Sequence, residues 1–143
     1  MTVIVWDGKS LAADRRAEAG GVISTITKIR RIDGLLVGVA GNLCAGLLMF
    51  DWIAKGRKPE DYPEVQKKYD DGSCGCLVIE GGRVFKYESG PIPLEFEQSF
   101  FAIGSGREFA IAAIHCGKTA REAVEIASLF DTGCGNGVDV LTP

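Results

Sequence analysis

The second residue of the chain is a threonine, and its position could give it two chemical groups to use. The chain opens MTVIVW, so removal of Met1, which a small second residue permits, would leave Thr2 with a free α-amine beside its hydroxyl. An α-amine titrates near ~7.7–8.0, so about a tenth or more of it is a neutral base at pH 7. Such an amine can take the hydroxyl proton, directly or through a water. Thr2 would then be nucleophile and base in one residue.

Two charged residues, Asp14 and Lys28, have the types that such a terminus needs. A nearby ammonium ion favours the deprotonated forms of the amine and hydroxyl, and a carboxylate can hold that ammonium in place. Asp14 ends the segment SLAAD, and Lys28 lies in TKIRR. Their spacing alone leaves open that both are ordinary surface residues.

Other kinds of catalytic site find less support. His115, the only histidine, lies near the end of a predicted helix, where a structural role is more common than a place in a Ser-His-acid triad. The serine in AIGSGREF has Ile103 two residues before it, where the nucleophile elbow G-x-S-x-G needs glycine. Neither GSGREF nor GCGNG fits a phosphate loop. Cys74 and Cys76 form a CGC, but zinc requires four ligands. We therefore expect no metal and no cofactor.

Length and charge indicate one domain spanning residues 1–143. The chain has 16 basic and 19 acidic side chains with no basic run, so we expect no nucleic-acid partner. It has no apolar stretch of about 18 residues and no signal-peptide pattern, which predicts a cytoplasmic protein without membrane contact. The five cysteines are an odd number, and we expect them to be reduced.

Strands and helices are predicted in blocks along the chain. Strands are expected at TVIVW, SLAAD, VISTITKIRRI (a pair or one bent strand) and LLVGVAG; a helix then runs from the N-cap Asn42 towards Gly56, with at most a short helix at 63–70. A hairpin from CLVIE and VFKYES, the strand FFAIG, two helices from REFAIAAIHCG and TAREAVEIASLFD, and the strand VDVLT follow. Thr119 and Glu122 form a capping box for the last helix. This order favours an α+β fold of two antiparallel sheets with helices outside, while other α+β folds stay open.

Four segments in this order resemble the proteasome β-type peptidases, nearest to the bacterial HslV ring and its phage or prophage relatives. The segments are TVIVWDGKSLAAD, TKIRR, LLVGVAGN, and AIGSGREFAIAA with the following KTAREAVEIA. The resemblance runs over nearly the whole chain. It implies an N-terminal nucleophile hydrolase with a four-layer αββα sandwich that hydrolyses peptide bonds with its terminal threonine.

The same resemblance implies roles for individual residues. Thr2 matches the nucleophile, and Asp14 and Lys28 match the acid and the lysine of the active site. Gly38 matches the oxyanion-hole donor, and Ser105 matches the serine at the terminal amine. Asp131 and Cys134 match the accessory acid and serine, and Leu36 and Ala40 are expected to line the first specificity pocket. Cys134 departs from the family pattern, because a thiol is a weaker donor than a hydroxyl.

The resemblance further implies a ring-shaped homo-oligomer that degrades unfolded polypeptide or peptides, with an ATP-dependent unfoldase as a plausible partner. Helices 42–56 and 107–116 would supply the subunit contacts. The stretch after the first helix looks short for the family, so the number of subunits need not match. Activation is expected to depend on removal of Met1. The alternative is a catalytically silent scaffold or assembly protein in which Thr2 merely begins a strand.

Overall fold

Eleven strands and three α-helices are arranged in blocks in the computed structural model, which describes residues 1–143. The strands are β1 Ile4–Trp6, β2 Leu11–Asp14, β3 Arg16–Ala19, β4 Val22–Thr25, β5 Ile29–Ile32, β6 Leu35–Gly41, β7 Cys74–Glu80, β8 Arg83–Tyr87, β9 Leu94–Phe96, β10 Phe101–Ile103 and β11 Val138–Leu141. The helices are α1 Leu43–Ala54, α2 Arg107–His115 and α3 Ala120–Phe130. None of these helices combines the length and apolar character needed to span a membrane.

The strands form two antiparallel sheets and a separate ribbon. The first sheet has the order β10-β1-β2-β11, the second has the order β5-β6-β7-β8-β9, and β3 pairs with β4 alone. The β1–β2 pairing places Ile4 opposite Ala13, so the start of the chain runs beside the end of β2.

Three clusters of buried apolar side chains separate four layers. In β1, Val5 belongs to a cluster with α2 and α3, whereas its neighbour Ile4 belongs to a cluster between the two sheets. In β6, Leu36 joins that inter-sheet cluster and Val39 joins a third cluster with α1. Successive residues of a strand point to opposite faces of the sheet, so β1 and β6 each contribute side chains to two clusters. The layers are α2 with α3, the first sheet, the second sheet, and α1, which is the αββα sandwich that the family resemblance implies.

Both predicted helix caps are confirmed. The Asn42 side chain accepts a hydrogen bond from the Ala45 N–H at 3.1 Å, and the Thr119 hydroxyl accepts one from the Glu122 N–H at 3.2 Å. These side chains satisfy donors that the first turn of a helix leaves without partners.

Two strands differ from the sequence prediction. The polar β3 and the short β9 were not predicted, whereas VISTITKIRRI contains two strands, β4 and β5, and not the one bent strand that was the other predicted alternative. The stretch 63–70 contains only a 3-10 turn, Glu64–Gln66. Its Gln66 is buried and exchanges two hydrogen bonds of 2.8 Å with the Cys74 backbone. This stretch is therefore tied to the first residue of β7 and does not continue as an α-helix.

Candidate active site

Thr2, Asp14 and Lys28 meet in a buried polar cluster at the start of the chain. They are 3%, 0% and 1% exposed, and Lys28 Nζ lies 2.9 Å from Asp14 Oδ1. Lysine and aspartate are almost never fully buried unless they are paired. The β1–β2 hairpin brings Asp14 beside the first residues, and Lys28 immediately precedes β5. Neither charged residue is an ordinary surface residue.

The Asp14 carboxylate accepts four hydrogen bonds. Oδ1 accepts from the Val3 N–H at 3.0 Å and from Lys28 Nζ, and Oδ2 accepts from the N–H groups of Arg16 at 3.2 Å and Gly135 at 3.1 Å. Hydrogen bonds to an ionised acceptor are stronger than those between neutral groups. Asp14 thus fixes Lys28 relative to three separate segments of backbone.

The Met1 carbonyl oxygen lies between the Thr2 hydroxyl and Lys28. Thr2 Oγ1 donates to this oxygen at 2.6 Å, and Lys28 Nζ donates to it at 3.3 Å. With Met1 attached, the nitrogen of Thr2 is an amide and is not a base. Loss of Met1 would convert that nitrogen to an amine and remove the acceptor that both donors share.

Three accessory residues, Ser105, Asp131 and Cys134, lie close together beside Thr2. The Thr2 N–H donates to Ser105 Oγ at 3.1 Å. Interaction with the Ser105 hydroxyl, together with the Gly133 N–H, holds the pKa of Asp131 below its ordinary value. Burial raises the pKa of the Cys134 thiol to about 12, so this thiol is neutral at neutral pH. The structure therefore brings Ser105, Asp131 and Cys134 together at the start of the chain.

Gly38 and Leu36 do not lie at the site. Both face the inter-sheet core: Leu36 is buried there, and a Cβ on Gly38 would lie 2.8 Å from Ile4 Cγ2. Gly38 is paired with Leu77, and the alternation of an antiparallel ladder directs its N–H towards β7. That N–H is committed to the sheet and is not available to a developing oxyanion. Of the two predicted pocket residues, only Ala40 borders a cavity at Thr2.

Gly41, at the end of the same strand, does border the site. Its φ of +125° is in a region that favours glycine, and it borders both cavities that contain Thr2. The ladder directs the N–H groups of Val39 and Gly41 towards the β5 side, where Val39 bonds to Lys28 O; Gly41 lies beyond the last residue that pairs with β5, and no loop carbonyl accepts from it. In the sequence, Gly41 is the second glycine of GVAGN, at the end of a strand and before a helix N-cap.

Two cavities meet at Thr2 and Gly41. The β3-side cavity, of about 340 Å³, also contacts Arg16, Glu18 and Lys28. The Ser105-side cavity, of about 680 Å³, is bordered by Ala40, Gly104, Ser105, Tyr69 and Lys86 among others. Together they form a cleft that passes the Thr2 hydroxyl. No cluster of three or more histidine, cysteine, aspartate or glutamate side chains is arranged to hold a metal ion.

Comparison with known proteins finds similarity in structure. No protein-family model and no curated protein matches the chain. Thiobacillus denitrificans BPH superposes with a TM-score of 0.75 at 21% identity, over 100% of this chain and 97% of that one. The same protein in complex with epoxomicin gives 0.76 at 19% identity, over 100% and 98%. Eukaryotic HslV from Trypanosoma brucei gives 0.69 at 23% identity, over 98% and 97%. The chain therefore has the proteasome β-type fold, the four-layer sandwich of the HslV-like proteins.

Proposed function

We propose that the chain is an N-terminal threonine peptidase, active once Met1 has been removed. The observation that carries the proposal is the buried Thr2–Lys28–Asp14 cluster, which lies beside the free Gly41 N–H in an open cleft. Burying an ion pair costs several kcal/mol per ion before the attraction repays it. A strand that merely begins at Thr2 has no need of such a pair. A nucleophile that must lose its proton does need a fixed cation.

The first chemical step is attack of Thr2 Oγ1 on a peptide carbonyl carbon. A C–O bond forms, the hydroxyl proton passes to the α-amine, and the carbonyl electron pair moves onto oxygen. Lys28, held by Asp14, stabilises negative charge on Oγ1. The Gly41 N–H donates to the new oxyanion, and one such donor is typically worth about 3–4 kcal/mol of transition-state stabilisation.

The second step breaks the scissile C–N bond. The protonated α-amine returns its proton to the leaving nitrogen, and Thr2 is left as an ester of the acyl fragment. A water, deprotonated by the same amine, then hydrolyses this ester and restores Thr2. Ser105 positions the amine, because its hydroxyl is already 3.1 Å from that nitrogen. Asp131 and Cys134 interact with the Ser105 side chain and hold it in position.

The cleft suits an extended peptide, and the comparisons supply a probe. One of the structures similar to this chain contains epoxomicin, a protease inhibitor. Its presence in a protein of the same fold supports a test of the same inhibitor here. We take unfolded polypeptide or peptides as the substrate.

Exposed apolar side chains on the helices suit assembly into a homo-oligomeric ring. Leu47 and Leu48 project from α1, and Phe109, Leu129 and Phe130 project from α2 and α3, each at least 41% exposed. Exposed apolar patches of this kind mark interaction surfaces. A ring would enclose the cleft and exclude folded proteins, so an ATP-dependent unfoldase would be needed to feed it.

The test begins with the intact mass of the purified protein, which reports whether Met1 is present. A fusion whose processing leaves Thr2 first provides the mature form in either case. This form should cleave fluorogenic peptides and be inhibited by epoxomicin. Thr2→Ala should lose both properties while its size, measured by light scattering, is unchanged. The matched control is Thr142→Ala at an exposed position, which should behave as the unsubstituted chain. Cleavage that survives Thr2→Ala, or none by the mature form, would favour the catalytically silent scaffold.

A further inference from the structure

A third cavity, of about 340 Å³, adjoins the proposed reaction centre on the α1 side of the second sheet. It shares Lys28 and Leu43 with the β3-side cavity that contains Thr2. Its other walls include Ile26, Val39, Leu47, Phe50 and Arg30, and we call it the Arg30 cavity. Except for its two basic residues and Thr27, every residue that borders it is apolar.

Arg30 gives this cavity an uncompensated positive charge. Its guanidinium carbon lies 4.5 Å from the centroid of the Phe50 ring, and this cation–π contact fixes the group without neutralising it. Arg30 is in none of the ion pairs of the chain, and no acidic residue borders the cavity. The second cation, Lys28, is different because it is paired with Asp14.

The position of the cavity suits the substrate residue whose carbonyl is attacked. That carbonyl must lie at Thr2 Oγ1 and the Gly41 N–H, so the side chain one bond away enters a space directly beside them. Lys28 and Arg30 are two positions apart on one face, which places Arg30 about 7 Å further along the strand direction. A substrate side chain with an apolar stem and a terminal carboxylate would extend from beside Lys28 to the guanidinium of Arg30.

We infer, resting on the peptidase function proposed above, that Arg30 determines specificity and that the enzyme cleaves after glutamate. The methylene groups of the glutamate pack between Leu43, Leu47 and Val39. Its carboxylate accepts hydrogen bonds from the guanidinium, which presents donors in a geometry that matches a carboxylate. Glutamine has the same shape without the charge, and lysine would meet Arg30 with a like charge.

The test compares mature enzyme on four fluorogenic peptides that differ only before the scissile bond, where they carry Glu, Gln, Leu or Lys. The value of kcat/KM should be highest for Glu, by roughly 10- to 100-fold over Gln, the range expected for a hydrogen bond to a charged partner. Arg30→Gln should remove the preference for Glu over Gln. Arg30→Glu should reverse the preference, so that the Lys peptide becomes the best of the four.

The matched control is Arg31→Glu, the same change at the next residue. Arg31 is exposed and bonds to the carbonyl of Thr142, outside the Arg30 cavity. The Arg31→Glu variant should leave the order of kcat/KM for the four substrates unchanged. Thermal melts of all variants check that they are folded. A parental enzyme that prefers Leu, Gln or Lys, or an Arg30→Glu variant with the parental order, overturns the inference while the peptidase stands. Failure of the mature form to cleave any of the four, together with resistance to epoxomicin, overturns both.

Discussion

The ammonium of Lys28 and the carboxylate of Asp14 form an ion pair of 2.9 Å from which water is almost completely excluded. The pair has three further hydrogen bonds to backbone N–H groups, all made to the carboxylate. Lys28 Nζ has in addition only the Met1 carbonyl. When Met1 is removed, the Lys28 N–H that bonds to this carbonyl loses its acceptor and becomes available at Thr2.

Lys28→Met should reduce both activity and stability. The substitution keeps the length of the side chain, removes the cation from the Thr2 hydroxyl, and leaves a buried carboxylate without its counter-ion. Breaking a buried pair from one side costs about 3–5 kcal/mol. Because the backbone donors to Asp14 remain, we expect the lower end of this range in the free energy of unfolding, measured with denaturant, and loss of peptide cleavage.

Lys9→Met provides the control, since Lys9 lies in the exposed turn after β1 and its side chain has no ion-pair partner. It should unfold and cleave peptides as the parent does. Full activity in Lys28→Met with a folded chain would remove Lys28 from the mechanism.

Gly38→Ala should destabilise the fold without altering chemistry. Its Cβ would lie 2.8 Å from Ile4 Cγ2 and 3.1 Å from Ile29 Cγ2 in the inter-sheet core. Overpacking of this kind typically costs about 1–3 kcal/mol. We expect that much loss in the free energy of unfolding, with kcat per folded active site near the parental value. Gly90→Ala, where a Cβ would meet nothing within 4 Å, should change neither. A large drop in kcat with unchanged stability would return the oxyanion role to Gly38.

Two of the five cysteines should react with a thiol reagent in the native chain. Cys44 and Cys116 are exposed, whereas Cys74, Cys76 and Cys134 are buried. Burial raises the pKa of Cys74 and Cys134 to about 12, and it raises the pKa of Cys76 well above its ordinary value, so the reactive thiolate is scarce at all three. Labelling followed by mass spectrometry should find two fast adducts at pH 8 and five after denaturation. Rapid labelling of Cys134 would contradict its buried place behind Ser105.

Asp7 should make stability depend on pH in the acid range. Burial acts to raise the pKa of this carboxyl, but hydrogen bonds from the backbone N–H groups of Ser10, Ala120 and Lys9 outweigh it and lower the pKa. A lowered pKa in the folded state stabilises the fold above the unfolded value near ~3.9, and this contribution disappears as pH falls through the folded value.

Asp7→Asn tests this dependence. The variant should be less stable than the parent at pH 6, and the difference between the two free energies of unfolding should shrink below about pH 4. Glu125→Gln, at an exposed position of α3, is the charge-matched control and should show no such change. A difference that is constant from pH 6 to pH 2.5 would contradict the assignment.

Local signals in the sequence predicted much of this fold, and pairing between distant segments decided what they missed. Asn42 and Thr119 cap helices through neighbouring residues, so their roles are visible in a short window. The strand β3, RAEA, has no β-branched or aromatic residue, the types enriched in strands, and exists because it pairs with β4. For the site, the motifs led to Thr2, Asp14 and Lys28, which the structure brings together.

Gly38 and Gly41 illustrate the same limit within one strand. Both belong to GVAG, and the choice between them depends on which N–H groups the neighbouring strands β5 and β7 occupy. That information lies in the register of three strands and in the point where β5 begins. A single motif contains neither, so the motif led to the correct strand but not to Gly41, the glycine that borders the cleft.

The fourfold bonding of Asp14 has a consequence for how this chain could evolve. Losing the hydroxyl of Thr2 would abolish the proposed peptidase activity with little effect on the fold, whereas losing Asp14 would remove the acceptor of Lys28 and of three backbone N–H groups at once. A descendant that has lost catalytic activity should therefore retain Asp14 long after Thr2 has been substituted. The residues at positions 2 and 14 would then distinguish an inactive descendant from an active enzyme.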